Sequence, residues 1–193
     1  SQGSEFSKKE WENLKVVTVP NFQNKLFVGI KYGVDGKHVA MSIATKVDEK
    51  IFVESIDCQS VRNGNTWIIS FLKEADIEKV VIDGSGSQQI LSDEIKDYGI
   101  KLKPVLPKVS DVVVANNMFE QAVTSSKNIC HNDQPSLKQI VTNCKRRAIG
   151  TNGGFGFKAM MEEHEIALLD SVILAHWACA TYKGVKKKQK ISC

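Results

Sequence analysis

Cysteine never occurs as a pair in this chain: Cys58, Cys130, Cys144, Cys179 and Cys193 are scattered, odd in number and form no C-x-x-C string. That pattern speaks against a disulfide framework and a Cys/His zinc site, and it fits a reducing, intracellular setting. No stretch approaches the roughly 18 uninterrupted apolar residues of a membrane span, and the N-terminus has neither a basic nor an apolar leader region. A soluble protein without a membrane partner is therefore expected. Also missing is any G-x-x-x-x-G-K-[ST] string, which rules out an ATPase built on a phosphate-binding loop. Apart from the run Lys183-Gly-Val-Lys-Lys-Lys-Gln-Lys190, there is no low-complexity stretch and no internal repeat.

What the chain does have is apolar content, 42% of 193 residues, enough for one substantial core and too little length for two. The opening Ser1–Phe6 reads as a cloning remnant and the weakly patterned Lys8–Asn24 as a linker. Residues 1–24 then precede a single domain over 25–182, and 183–193 form a basic tail that reads as a solvated end. Lys and Arg together number 26 against 22 Asp and Glu, so the placement of charge is more informative than its small positive sum.

The order of elements begins with strands. Leu26–Tyr32 and His38–Thr45 flank a D-G turn over Gly33–Gly36 and predict a β-hairpin, and Lys50–Asp57 adds a third strand. A helix over Thr66–Ala75, opened by Asn63-Gly64-Asn65, leads to a strand that ends at Asp83. Further along, helices are expected over Ser87–Tyr98, Asp111–Thr124 with Ser110 as cap, and Pro135–Arg147, with a short strand over Lys101–Leu106. Gly150–Phe157 reads as a hairpin or flexible loop, and an apolar helix containing Asp170 closes the domain. The pattern predicts an α/β fold, a mixed β-sheet of three antiparallel strands followed by parallel ones, flanked by helices.

Two acids stand out against this background. Asp83 ends the β-branched run Val80-Val81-Ile82 at Gly84-Ser85-Gly86, the carboxyl end of a buried strand, where open α/β sheets place their chemistry. Asp170 interrupts an apolar helix on the face of Ile166, Ile173, Leu174 and Trp177. An unpaired buried carboxylate costs several kcal/mol by rough transfer estimates, so the fold must bring it a cation. A divalent metal shared by both acids is one answer; helix capping by Asp83 and a buried ion pair at Asp170 are the alternatives.

Several strings in this order resemble the nuclease domain of the large terminase subunit of tailed bacteriophages, a ribonuclease H-like (retroviral integrase-like) fold. They are Val28-Gly-Ile-Lys-Tyr-Gly-Val-Asp-Gly36, Val80-Val-Ile-Asp-Gly84, Ala115-Asn-Asn-Met-Phe-Glu120, Val141-Thr-Asn-Cys-Lys-Arg-Arg147 with Gly150-Thr-Asn-Gly-Gly-Phe-Gly-Phe157, and Leu169-Asp-Ser-Val172. The resemblance implies a ribonuclease H-like sheet and a metal-dependent endonuclease that cuts concatemeric double-stranded DNA by hydrolysis with two Mg²⁺ or Mn²⁺ ions. It further implies an upstream ATPase domain, portal protein and small terminase subunit as partners, and action in the host cytoplasm. Asp83 and Asp170 match two of the family's acids. The first-strand acid does not match, because Lys31 stands in its place. Asp35 is the nearest substitute, either as a third metal ligand or as a turn residue. Lys31 faces solvent, or points into the acidic cluster to steady a phosphate or pair with Asp83. For DNA phosphates the candidates are Lys145, Arg146, Arg147 and Lys158, which otherwise decorate a helix end. A junction resolvase or transposase-like nuclease on the same fold, and a metal-free DNA- or protein-docking module, remain open beside the terminase reading.

Overall fold

A computed structural model describes residues 3–21 and 24–184; from residue 185 onward the basic tail lies outside the described residues. Five strands, β1 (Leu26–Tyr32), β2 (His38–Val47), β3 (Lys50–Ser60), β4 (Ile77–Asp83) and β5 (Ile129–His131), form a mixed sheet in the order β4-β1-β2-β3-β5. The first three strands are antiparallel neighbours, while β4 runs parallel to β1 and β5 parallel to β3. This is the expected mixed sheet of antiparallel strands joined by parallel ones, with β5 a strand that the sequence did not predict.

Both faces of the sheet are covered, which is why β1 is apolar almost throughout and β4 is apolar from Val80 to Ile82. On one face Val28, Ile30, Val80 and Ile82 meet α2 (Thr66–Glu74) and α3 (Ser87–Asp97) through Ile68, Leu72, Leu91 and Ile95. On the other face Phe27, Ala40, Ala44 and Val81 meet α6 (Ile166–Thr181). That helix is buried from Ala167 to Cys179 on nearly every side. It lies between the sheet and an outer layer made of α4 (Val109–Gln121), α5 (Pro135–Val141) and a hairpin of β6 (Cys144–Ile149) and β7 (Gly154–Ala159). A helix apolar all round is what such a central position demands.

Three expectations are corrected here. Residues 3–21 are not a free linker: Ser7 caps a helix, α1 (Lys8–Glu12), through a capping box, and Phe6, Trp11 and Leu14 are buried. Phe6 packs edge-on to Phe119, and the Trp11 indole stacks on His131 at 4.0 Å between ring centroids. Pro135–Arg147 is not one helix, since α5 stops at Val141 and Lys145, Arg146 and Arg147 lie on β6. The strand expected over Lys101–Leu106 reduces to a single bridge between Val81 and Val105. No described helix is long and apolar enough to cross a membrane.

Candidate metal centre

The parallel register of β1 and β4 sets Lys31 beside Asp83 at the carboxyl ends of both strands. Alternation along β1 turns Phe27, Gly29 and Lys31 toward α6. The Lys31 ammonium accordingly donates to Asp83 Oδ2 at 2.7 Å, with both side chains largely shielded from water. Of the two readings of Lys31, the structure shows the inward one.

Asp170 arrives from α6. Together with Lys31, Asp83, Val112, Asn116, Arg147, Ile173 and Leu174 it lines a cavity of about 20 Å³, enough for a water molecule or a single ion. Burial pushes the Asp170 carboxyl up to about 7; Lys31 and Arg147 pull it back, and Asp83 and Glu165 add to the rise. No side chain hydrogen-bonds or ion-pairs with Asp170 among the described residues. Two carboxylates from distant stretches thus share one small space with two cations. Beside it, Lys31 and Asp83 also open onto a larger groove of about 380 Å³ formed with Tyr32, Gly33, Gly84 and Ser87.

Asp35 does not line the cavity that holds Asp83 and Asp170. Its Oδ1 accepts from the Lys37 amide at 2.9 Å, the local turn bond that aspartate favours. Its carboxylate groups instead with His38 and Glu165, with ligating atoms within 4.8 Å of one another. Glu165 lies 3.0 Å from His38 Nδ1 and accepts from the Ala167 amide as the cap of α6. His38 and Glu165 are not among the sequence candidates, because only the fold brings a strand start and a helix cap next to the hairpin turn.

The basic residues divide. Arg146 is occupied: its guanidinium donates to Glu5 and Glu120 and lies 3.8 Å above the Phe155 ring. Arg147 reaches the acidic cavity, and Lys145 and Lys158 sit directly opposite one another across the β6–β7 ladder, both exposed.

The chemistry of this donor set is that of a hard divalent cation: oxygen ligands, partial burial and a space of ionic size. No protein-family model matches the sequence, and no curated protein matches it. Solved structures do match by shape. The large terminase of bacteriophage HK97 superposes with a TM-score of 0.63 at 12% identity over 90% of this chain and 43% of that one. The large terminase nuclease of thermophilic phage G20c with bound magnesium gives 0.63 at 14% identity, covering 91% of this chain and 97% of the nuclease; it has also been solved with bound cobalt. The large terminase of another thermophilic bacteriophage, in complex with ADP, gives 0.59 at 17% identity over 91% of this chain and 43% of that one. The chain thus spans less than half of the two large terminases and nearly all of the G20c nuclease, and its fold is that of a phage large terminase nuclease domain.

Proposed function

We propose that the chain is the metal-dependent endonuclease domain of a phage DNA-packaging terminase. The observation that carries this reading is the convergence of Asp83, Asp170, Lys31 and Arg147 on one small cavity at the carboxyl ends of β1 and β4. The magnesium and cobalt forms of the G20c nuclease support it. So does the match to 43% of each of two longer large terminases, one of them in complex with ADP; an ATPase portion and the other packaging partners would lie outside this chain.

Asp83 and Asp170 would hold Mg²⁺ or Mn²⁺, with phosphate oxygens of DNA completing the coordination. Bound there, divalent metal would supply a lowered water pKa and Lewis-acid stabilisation of the leaving oxygen, in the two-ion scheme or with Lys31 taking the place of one ion's charge. Lys31, fixed by Asp83 at 2.7 Å, would present its remaining N–H groups to a scissile phosphate. Arg147, from β6, would add a second donor. Both cations also moderate the repulsion between the acids.

Lys145 and Lys158 would contact the DNA backbone away from the scissile bond. Like charges opposite one another in a two-stranded ladder destabilise it, and a polyanion across them removes that cost. Replacing both by alanine should flatten the slope of log K against log salt by roughly 0.9 for each phosphate no longer neutralised; a slope equal to that of the unchanged chain would remove them from the interface.

Cleavage itself is tested with supercoiled plasmid and Mn²⁺. The expected result is linear and fragmented DNA, none in EDTA and none with Asp83→Asn. The Lys31–Asp83 ion pair favours one competing reading, a DNA-docking module whose acid is already neutralised. Binding without cutting at any Mn²⁺ concentration would establish that instead, and selective cutting of branched DNA would indicate a resolvase.

A further inference from the structure

Asn116 is a polar residue on an apolar stripe. It sits on the buried face of α4 with Ala115 and Phe119, and only 3% of it is exposed. Its carboxamide makes no hydrogen bond to any described residue, although its near neighbour Asn117 bonds back to the Val113 carbonyl. Neither its Oδ1 nor its Nδ2 is sealed in the interior without a partner, so the polar atoms rely on whatever fills the space they face. The little surface Asn116 keeps faces the cavity of Lys31, Asp83, Arg147 and Asp170. Its Nδ2 is held close to the backbone at Gly156, where an added Cβ would lie only 3.2 Å away.

Two observations define the role. The first-strand position that would supply a third acid holds Lys31, and Asp35 lies elsewhere, with His38 and Glu165. The cavity therefore offers two carboxylates and one unsatisfied amide oxygen. We infer that Asn116 is the third protein ligand of the metal, giving its Oδ1 to the ion bound by Asp83 and Asp170. Amide carbonyls are ordinary ligands for hard divalent cations. A neutral one supplies a coordinating atom without adding negative charge, while Nδ2 stays against the Gly156 backbone. The inference rests on the proposed metal centre and adds to it a ligand from a third element, so that a metal would bridge β4, α4 and α6, which share one core.

Calorimetric titration of the whole chain with MnCl₂ tests this directly, without any activity measurement. Asn116→Ala should weaken Mn²⁺ binding by at least the roughly 10- to 100-fold that loss of an outer-shell partner costs, while melting in EDTA stays at or above that of the unchanged chain. Asn116→Asp should restore or exceed the original affinity, because it returns an oxygen to the same place; a purely structural asparagine would show no such rescue. Asn117→Ala serves as the neutral control. Unchanged Mn²⁺ affinity in Asn116→Ala, with binding still lost in Asp83→Asn, overturns the assignment of Asn116 alone. If the unchanged chain binds no Mn²⁺, or if Asp83→Asn binds it normally, the metal centre fails and this ligand fails with it.

Discussion

Gly29→Ala is expected to destabilise the protein by at least about 3 kcal/mol, the upper end of ordinary overpacking, and to abolish cleavage. A Cβ on Gly29 would lie 2.1 Å from the Ser171 carbonyl oxygen and 2.6 Å from the Ala175 amide nitrogen. These are backbone atoms of α6, so no rotamer change relieves the clash. Either β1 or the whole helix must move. Gly29 is what lets α6 lie directly on the sheet, and Asp170 belongs to the turn of helix resting there. Retreat of the helix would separate Asp170 from Asp83, which is fixed in register with Lys31 on β4. Total stabilities of 5–15 kcal/mol make such a loss severe, and at this size each kcal/mol corresponds to roughly 2–4 °C in Tm. Thermal melting with and without Mn²⁺ provides the check. A melting temperature within a degree of the unchanged chain would show that α6 can shift at no cost, and the argument for a rigidly seated Asp170 would fall.

The same geometry explains what could be read from the sequence. β1 to β4 were legible because β-branched runs, a D-G turn and strand-end glycines are local signals, and Asp83 and Asp170 were conspicuous as acids ending or breaking apolar runs. The helix expected over Pro135–Arg147 had a true start and a false continuation. Leu137, Ile140, Val141 and Cys144 keep helical spacing across the α5–β6 junction, while β6 belongs to a two-stranded ribbon whose exposed residues show no apolar alternation. The burial of Phe6 and Trp11 left no mark either, since it depends on Phe119, Phe157 and His131, which only the folded chain brings near. Asn116 lay within a string that carried the family resemblance, but its isolation from hydrogen-bond partners is a tertiary property. The grouping of Asp35 with His38 and Glu165 is tertiary in the same sense: the hairpin turn and the cap of α6 meet at Gly33, where a Cβ would crowd Asp35 Oδ1 at 3.0 Å and Glu165 Oε1 at 3.3 Å.

Asp170→Asn should eliminate cleavage while making the metal-free protein more stable at neutral and alkaline pH. In the folded chain burial raises the Asp170 carboxyl to about 7, whereas an unfolded aspartate titrates near about 3.9. Between those values the folded state holds a proton that the unfolded state has released. Stability therefore falls as pH rises from about 4 to about 7 and is level above that. The fall amounts to at most about 4 kcal/mol, less to the extent that the open edge of the carboxylate reaches water. Asparagine resembles the protonated acid and titrates nowhere, so the variant should lose this slope and overtake the unchanged chain above about pH 6. Metal reverses the comparison. Ion binding needs the ionised carboxylate, so Mn²⁺ should raise the melting temperature of the unchanged chain more at pH 8 than at pH 5 and do little for Asp170→Asn. Melting curves across pH 4–9 in EDTA and in Mn²⁺ measure both effects. Parallel curves for the two proteins in EDTA would show that Asp170 is ionised and paired in the folded chain, and the case for a cavity that needs a cation would be lost.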